Sequence, residues 1–139
     1  MLAYNSTRQL ILCQNVCVAD TFVKRLLGAT KEIAHAPRRT TSHENWVIFK
    51  GDFGNSYDGI LIRPCRSIHT FFLKYPLDVI FLDQNKHICR IYSHLKPFRI
   101  TPLIPSAQMV LELMGGTLLP SMAQKGDIVI FLDREPDRS

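Results

Sequence analysis

Apolar residues fall along this chain in short runs broken by turn formers, and few runs reach helix length. Residues 9–13 (QLILC) read as a strand and 16–18 as its short neighbour, with Gln14-Asn15 as the turn between them. Asp20 is placed to cap a helix; Phe22, Val23, Leu26 and Leu27 then share one helical face, with Lys24 and Arg25 opposite. Gly28 follows as a stop, so the spacing predicts a short helix over 21–27. Residues 30–45 carry few large apolar side chains and read as an exposed, mobile loop. Residues 46–49 (WVIF) read as a strand, and 51–59, dense in Gly, Asp and Asn, as a loop.

The strongest β signal lies in the middle. Residues 60–62 form a strand stopped at Pro64, and 67–72 continue as an apolar, β-branched stretch. Residues 77–82 (LDVIFL), a turn over 83–86 and 87–93 (HICRIYS) predict a β-hairpin. Pro97, Pro102 and Pro105 punctuate an extended connection that no helix interior tolerates. Residues 108–113 predict another strand, ended by Gly115-Gly116; 118–124 predict one helical turn; 128–132 (IVIFL) are the last strand, before a polar tail. These elements amount to about eight short strands and one or two short helices, a mainly β (β-rich α+β) fold. The spacing suits a small curled antiparallel sheet, barrel-like or sandwich.

Length adds one domain, 1–139, with an insertion at about 29–58 and a frayed tail at 134–139. With 46% apolar and 21% charged residues, the chain has the balance of a folded globule rather than a disordered one. Cys13, Cys17, Cys65 and Cys89 form no C-x-x-C pair, which argues for reduced, buried thiols. No run of about 20 apolar residues spans a membrane, and no secretory leader is visible, so a soluble, cytoplasmic protein is expected. The formal charge of +5 is uneven: residues 1–50 carry +4 and 51–139 only +1. Arg38-Arg39, beside His35 and His43, is the strong basic cluster, and a weak nucleic-acid contact there is one functional reading. The segment lacks the interleaved aromatics of single-strand binders, which makes nucleic acid an improbable partner.

One long stretch is familiar. Residues 59–83 (GILIRPCRSIHTFFLKYPLDVIFLD) resemble the signature of the family called domain of unknown function 192, a G-(I/L)-L-I-x-P-C-x-S-I-H-T stretch, then an aromatic pair, then P-(L/I)-D-V-x-F-L-D. Residues 107–116 (AQMVLELMGG), the turn Gly126-Asp127, and Ala19-Asp20-Thr21 with Arg25 and Gly28 are similar to further elements of that family. The resemblance spans about residues 9–132, and it departs from the family at 29–58, a long stretch before the central strand. It implies the fold and brings no activity with it.

Candidate chemistry must therefore come from the residues. Cys65, Ser67 and His69 sit at i, i+2 and i+4, one face of an extended strand, with the backbones of successive members roughly 6–7 Å apart. A thiol and an imidazole there are a nucleophile and its base, two metal ligands with Asp78 as a third, or a packed thiol beside a hydrogen-bonded ring. Asp78 shares a face with Ile80 and Leu82, so it needs a partner; Arg66, Lys74 and Arg99 are candidates. Glu112 shares a face with Val110 and Met114 and is a buried pair or a pocket acid. The pair Asp78 and Glu112 suggests hydrolysis only if the two face one another across a cleft. No G-x-G-x-x-G, P-loop, H-E-x-x-H or G-x-S-x-G occurs, and no cofactor or metal is expected.

Two main readings stand beside the nucleic-acid one. The first is a non-enzymatic binding or accessory module for an unknown small molecule or protein. Its polar surface pocket would be lined by Cys65, Ser67, His69, Thr70, Lys74, Asp78, Arg99 and Glu112, beside Phe71 and Phe72. The second is a hydrolase-like or metal-assisted enzyme using Cys65, His69 and Asp78.

Overall fold

Strands fully buried on both faces organise this chain, and their sequences say so. The computed structural model describes residues 1–19, 49–50, 56–71, 73 and 75–133. Ten strands occur among them: β1 Leu2–Asn5, β2 Leu10–Cys13, β3 Val16–Ala19, β4 Phe49–Lys50, β5 Ser56–Tyr57, β6 Gly59–Ile62, β7 Leu77–Leu82, β8 Ile88–Leu95, β9 Met109–Met114 and β10 Val129–Leu132. A five-stranded sheet runs β3-β6-β9-β7-β8, a three-stranded sheet β10-β1-β2, and β4-β5 form a separate ribbon. Every residue of β7 and β9 is buried, which explains why each run is apolar except for a single acid, Asp78 in β7 and Glu112 in β9.

Alternation splits those strands between two cores. Leu61, Ile80, Leu82, Leu111 and Leu113 meet Ala3, Leu12 and Val129 of the three-stranded sheet. Ile60, Ile62, Leu77, Val79, Phe81 and Val110 face the other way, toward Ile68, Leu73 and Ala107 of the long connections. The mainly β reading holds, in a sandwich-like form; the two larger sheets do not close into a barrel.

Several local expectations change. The strand β1 is not among the expected strands; it is the central strand of its sheet, paired with β10 on one side and β2 on the other, so residues 2–5 lie beside 129–132. The pair β3–β6 is parallel, against the antiparallel expectation, because the long chain between Ala19 and Gly59 provides the crossover such a pair needs. No helix occurs among the described residues, and 118–124 are turns rather than a helical turn. Asp127 explains the turns: its Oδ2 accepts from Gln124 N (3.0 Å), Asn5 Nδ2 (2.9 Å) and Arg8 Nε (2.6 Å), tying that loop to β1. Burial alone would raise its pKa, but the bonds from Asn5, Arg8 and Gln124 outweigh it and hold the carboxyl below its ordinary value. The predicted helix over 21–27, the tail beyond 133 and Trp46 of the predicted 46–49 strand lie outside the described residues.

The start of β6 is tightly packed. The Cys13 thiol donates to Asp58 Oδ1 (3.0 Å), and Asp58 also accepts from the N–H groups of Gln14 and Asn15. Burial first, then the Asp58 charge, push this thiol far above its usual range, so it stays neutral and unreactive. A Cβ on Gly59 would lie 2.5 Å from Cys13 Sγ and 2.9 Å from Leu113 Cδ2. Gly59→Ala is therefore expected to destabilise the protein by about 1–3 kcal/mol. A urea midpoint that stays at the wild-type value would show that the two side chains yield freely.

Candidate functional site

Asp78 and Glu112 are the two buried acids of the central sheet, and they point to opposite faces. In the β7–β9 register Asp78 lies beside Leu113, and Glu112 beside Val79. Asp78 thus belongs to the face shared with the three-stranded sheet, while Glu112 stands among Ile60, Val79, Val110 and Met114 on the other. The arrangement of two carboxylates across one cleft does not form.

Asp78 has found partners other than a cation. Its Oδ1 accepts from His94 N (2.8 Å), and its Oδ2 from Gly116 N (3.0 Å) and Leu118 N (2.8 Å). One carboxylate therefore fixes the end of β8, where His94 has φ +56°, and the glycine turn after β9. Glu112 is the contrary case. It is 2% exposed, and its Oε2 has no hydrogen-bond partner. Burial pushes its pKa up to about 8, so the group is a neutral acid at pH 7.

The polar trio of the central stretch lies on a ribbon rather than in a strand. Among the described residues between Pro64 and Leu77 only His69 makes a β-bridge, to Ile100, and hydroxyls supplement the few backbone bonds that link 66–70 to 98–104. Ser67 Oγ donates to Thr101 O (2.8 Å), Ile68 N donates to Thr101 Oγ1 (3.0 Å), and Thr70 Oγ1 donates to Lys96 O (2.7 Å). Thr70 Oγ1 also accepts from Arg99 N (2.9 Å), and Thr70 O accepts from Phe98 N (2.9 Å). The alternation expected from the sequence is present: Ile68, Thr70 and Thr101 are buried, whereas His69, Phe71 and Ile100 face solvent.

Cys65 and His69 each have contacts of their own. The Cys65 thiol donates to Ser67 O (3.2 Å) and packs against the core that holds Ile68. The His69 ring stacks on Phe71, centroids 5.2 Å apart. Asp78 is on the far side of the sheet from Cys65. Among the described residues no group of three His, Cys, Asp or Glu side chains is arranged to hold a metal. Phe72 and Lys74, expected in the pocket, and Arg38-Arg39 lie outside the described residues.

The structure adds residues that sequence reasoning missed. Phe98 (69% exposed), Ile100 (63%) and Leu103 (65%) project from the loop between β8 and β9. Phe98 has φ +61°, a left-handed backbone that costs a bulky residue roughly 1–2 kcal/mol. The Thr70 bonds hold it there. Lys96 and Arg99 flank these side chains, both exposed and without a carboxylate partner among the described residues. A signal was present: residues 59–77 and 84–111 contain no Asp or Glu. The acids of residues 51–139 cluster outside these two segments, so the net charge of +1 over 51–139 does not show it.

Comparison with known proteins follows the same lines as the fold. The model of the family DUF192, described as "Uncharacterized ACR", matches residues 5–131. The UPF0127 protein PH1112 of Pyrococcus horikoshii is 32% identical over 109 residues, which cover 75% of this chain and 74% of that protein. The crystal structure of a protein of unknown function from Novosphingobium aromaticivorans superposes with a TM-score of 0.61 at 18% identity, covering 94% of this chain and 82% of the other. A Sinorhizobium meliloti crystal structure gives a TM-score of 0.61 at 17% identity, covering 93% and 89%.

Proposed function

The chain belongs to the DUF192 family of uncharacterised proteins, so its role has to be argued from its own surface, and we infer that it is a small non-enzymatic binding module for an anionic ligand that carries an apolar group. The observation that carries this is the loop over 96–103. Thr70 holds Phe98 outward in a strained backbone, and the flanking Lys96 and Arg99 have no carboxylate partner among the described residues and no nearby acid in the sequence. Strain maintained at an exposed aromatic suits a preorganised anchor, because the ordering cost falls on folding rather than on binding. The groups suited to chemistry are occupied otherwise: Cys65 bonds a carbonyl, and Asp78 bonds three backbone N–H groups.

On this reading His69, Phe71 and Arg99 contact the ligand directly. Ser67 and Thr70 position the ribbon. Cys65, Asp78 and Glu112 act in the fold beneath it. Four free thiols suit a reducing compartment, and with it the cytoplasm. Among the described residues no helix is long and apolar enough to cross a membrane.

A thermal-shift panel of carboxylates, phosphates, amines and neutral compounds tests the reading, since any ligand of the native state raises the melting temperature. The expected result is a rise confined to anions bearing an apolar group, lost in Arg99→Ala. A rise produced by amines or neutral compounds alone, or one that Arg99→Ala leaves intact, contradicts it.

A further inference from the structure

We propose that the loop over 96–103 docks on an anionic lipid surface, with Phe98, Ile100 and Leu103 entering the interface and Lys96 and Arg99 meeting lipid headgroups. The inference rests on the anion-binding reading above and names its partner.

Three observations favour a lipid surface over a soluble partner. The first is the way the apolar side chains are displayed. At 63–69% exposure they stand out as prongs, and Phe71, at 36%, stacks on His69, whose backbone bridges to Ile100. Separate prongs of this kind bury their area in a medium that deforms around them, whereas a peptide or protein partner needs matching pockets. The second is charge. Lys96 and Arg99 have no carboxylate partner among the described residues, and residues 84–111 contribute no acid. A field of one sign complements a surface of the opposite sign without the paired charges that fix the register of a protein partner. The third is stiffness. The Thr70 bonds to Lys96 O, Arg99 N and Phe98 N clamp the loop base, and Pro97, Pro102 and Pro105 restrict the backbone between the prongs. A loop fixed before contact loses little conformational freedom on docking.

Single-stranded nucleic acid is the competing partner, because aromatics amid cations also stack bases. Ile100 and Leu103 oppose it: neither presents a ring face, and together they make half of the apolar display.

The test is co-sedimentation of the full chain with phosphatidylcholine vesicles that contain, or lack, about one-third phosphatidylserine. Binding to the acidic vesicles is expected to weaken at raised salt and to be slight with the neutral ones. Arg99→Ala is expected to weaken it about fivefold. The double variant Phe98→Gly/Leu103→Ser is expected to weaken it at least about tenfold. Glycine suits φ +61°, so this variant keeps its fold, and a circular-dichroism melt at the wild-type temperature or above verifies it.

The proposal is overturned if acidic vesicles fail to pellet the wild type, if neutral vesicles pellet it equally, or if the double variant pellets like the wild type. Binding of a single-stranded oligonucleotide in place of acidic vesicles overturns it as well. Should soluble anions raise the melting temperature while no vesicle captures the protein, the lipid assignment fails and the anion-binding reading remains. If neither responds, both fail.

Discussion

Asp78→Ala should lower the stability of the protein by about 3–5 kcal/mol, a third or more of what a domain of this size commonly has. The carboxylate is 1% exposed and accepts from three backbone N–H groups, of His94, Gly116 and Leu118. Each donor left without an acceptor in a dry setting loses its bond and keeps its desolvation cost. Relaxation is restricted. Gly115 N donates to Pro76 O, and a Cβ on Gly115 would lie 2.8 Å from that same oxygen, so the turn is already pressed against the start of β7. His94 must also hold φ +56° without the bond that fixes it. Asp78→Asn is expected to recover only part of the loss, because its amide NH₂ would face donors. Denaturant unfolding gives the magnitude, and amide exchange should speed up first at residues 94, 116 and 118. A loss below about 1 kcal/mol would mean that the backbone finds other acceptors and that Asp78 is no keystone.

Much of this architecture is legible in the chain because burial on two faces leaves a simple trace. The runs LDVIFL and MVLELM are apolar but for one acid each, Asp78 and Glu112, and both are strands covered on each side. The hairpin between β7 and β8 was legible for a local reason. Asp83 accepts from Asn85 N and His87 N, which closes the turn by contacts within a few residues. What failed to show was set at a distance. The strand β1 is a four-residue segment that pairs with β10, residues 2–5 against 129–132, far apart in the sequence. The stretch 67–71 has strand-like alternation, yet its partners are the hydroxyl, carbonyl and N–H groups of a loop over 96–101, and a propensity scale carries no such pairing.

The candidate site was legible in part for the same reason. Period-two spacing put His69 and Phe71 on one face and Thr70 on the other, as the structure has them, but Thr70, expected to line a surface pocket, is fully buried. Spacing gives direction and leaves depth open. Asp78 and Glu112 were both suspected of burial, but which face each occupied depended on the register between β7 and β9, a long-range property. Phe98 and Leu103 were invisible as exposed groups, since an apolar residue between prolines reads as readily as core. Only the Thr70 clamp, formed across the ribbon, turns Phe98 outward.

Glu112→Gln should stabilise the protein at neutral pH, by about 3 kcal/mol at pH 7. Burial raises the pKa of Glu112 from its ordinary 4.5 to about 8 in the folded state. Between those values the unfolded chain releases the proton and the folded chain keeps it. Stability is therefore greatest below 4.5, declines as pH rises toward 8 and flattens beyond, where both states are ionised. Glutamine has nearly the same shape and never ionises, so the variant lacks this decline. At pH 4 the two proteins should differ by less than about 1 kcal/mol. The gap should widen by about 1.4 kcal/mol per pH unit until pH 8. Taking the difference between the variants cancels other titrations, including Asp127, whose lowered pKa makes stability fall with acid below 3.8. Urea unfolding of both proteins across pH 4–9 measures the gap directly. A gap that stays constant with pH, or that favours the wild type at pH 8, would show that Glu112 ionises in the fold with a partner, and that the unpaired Oε2 acquires one in solution.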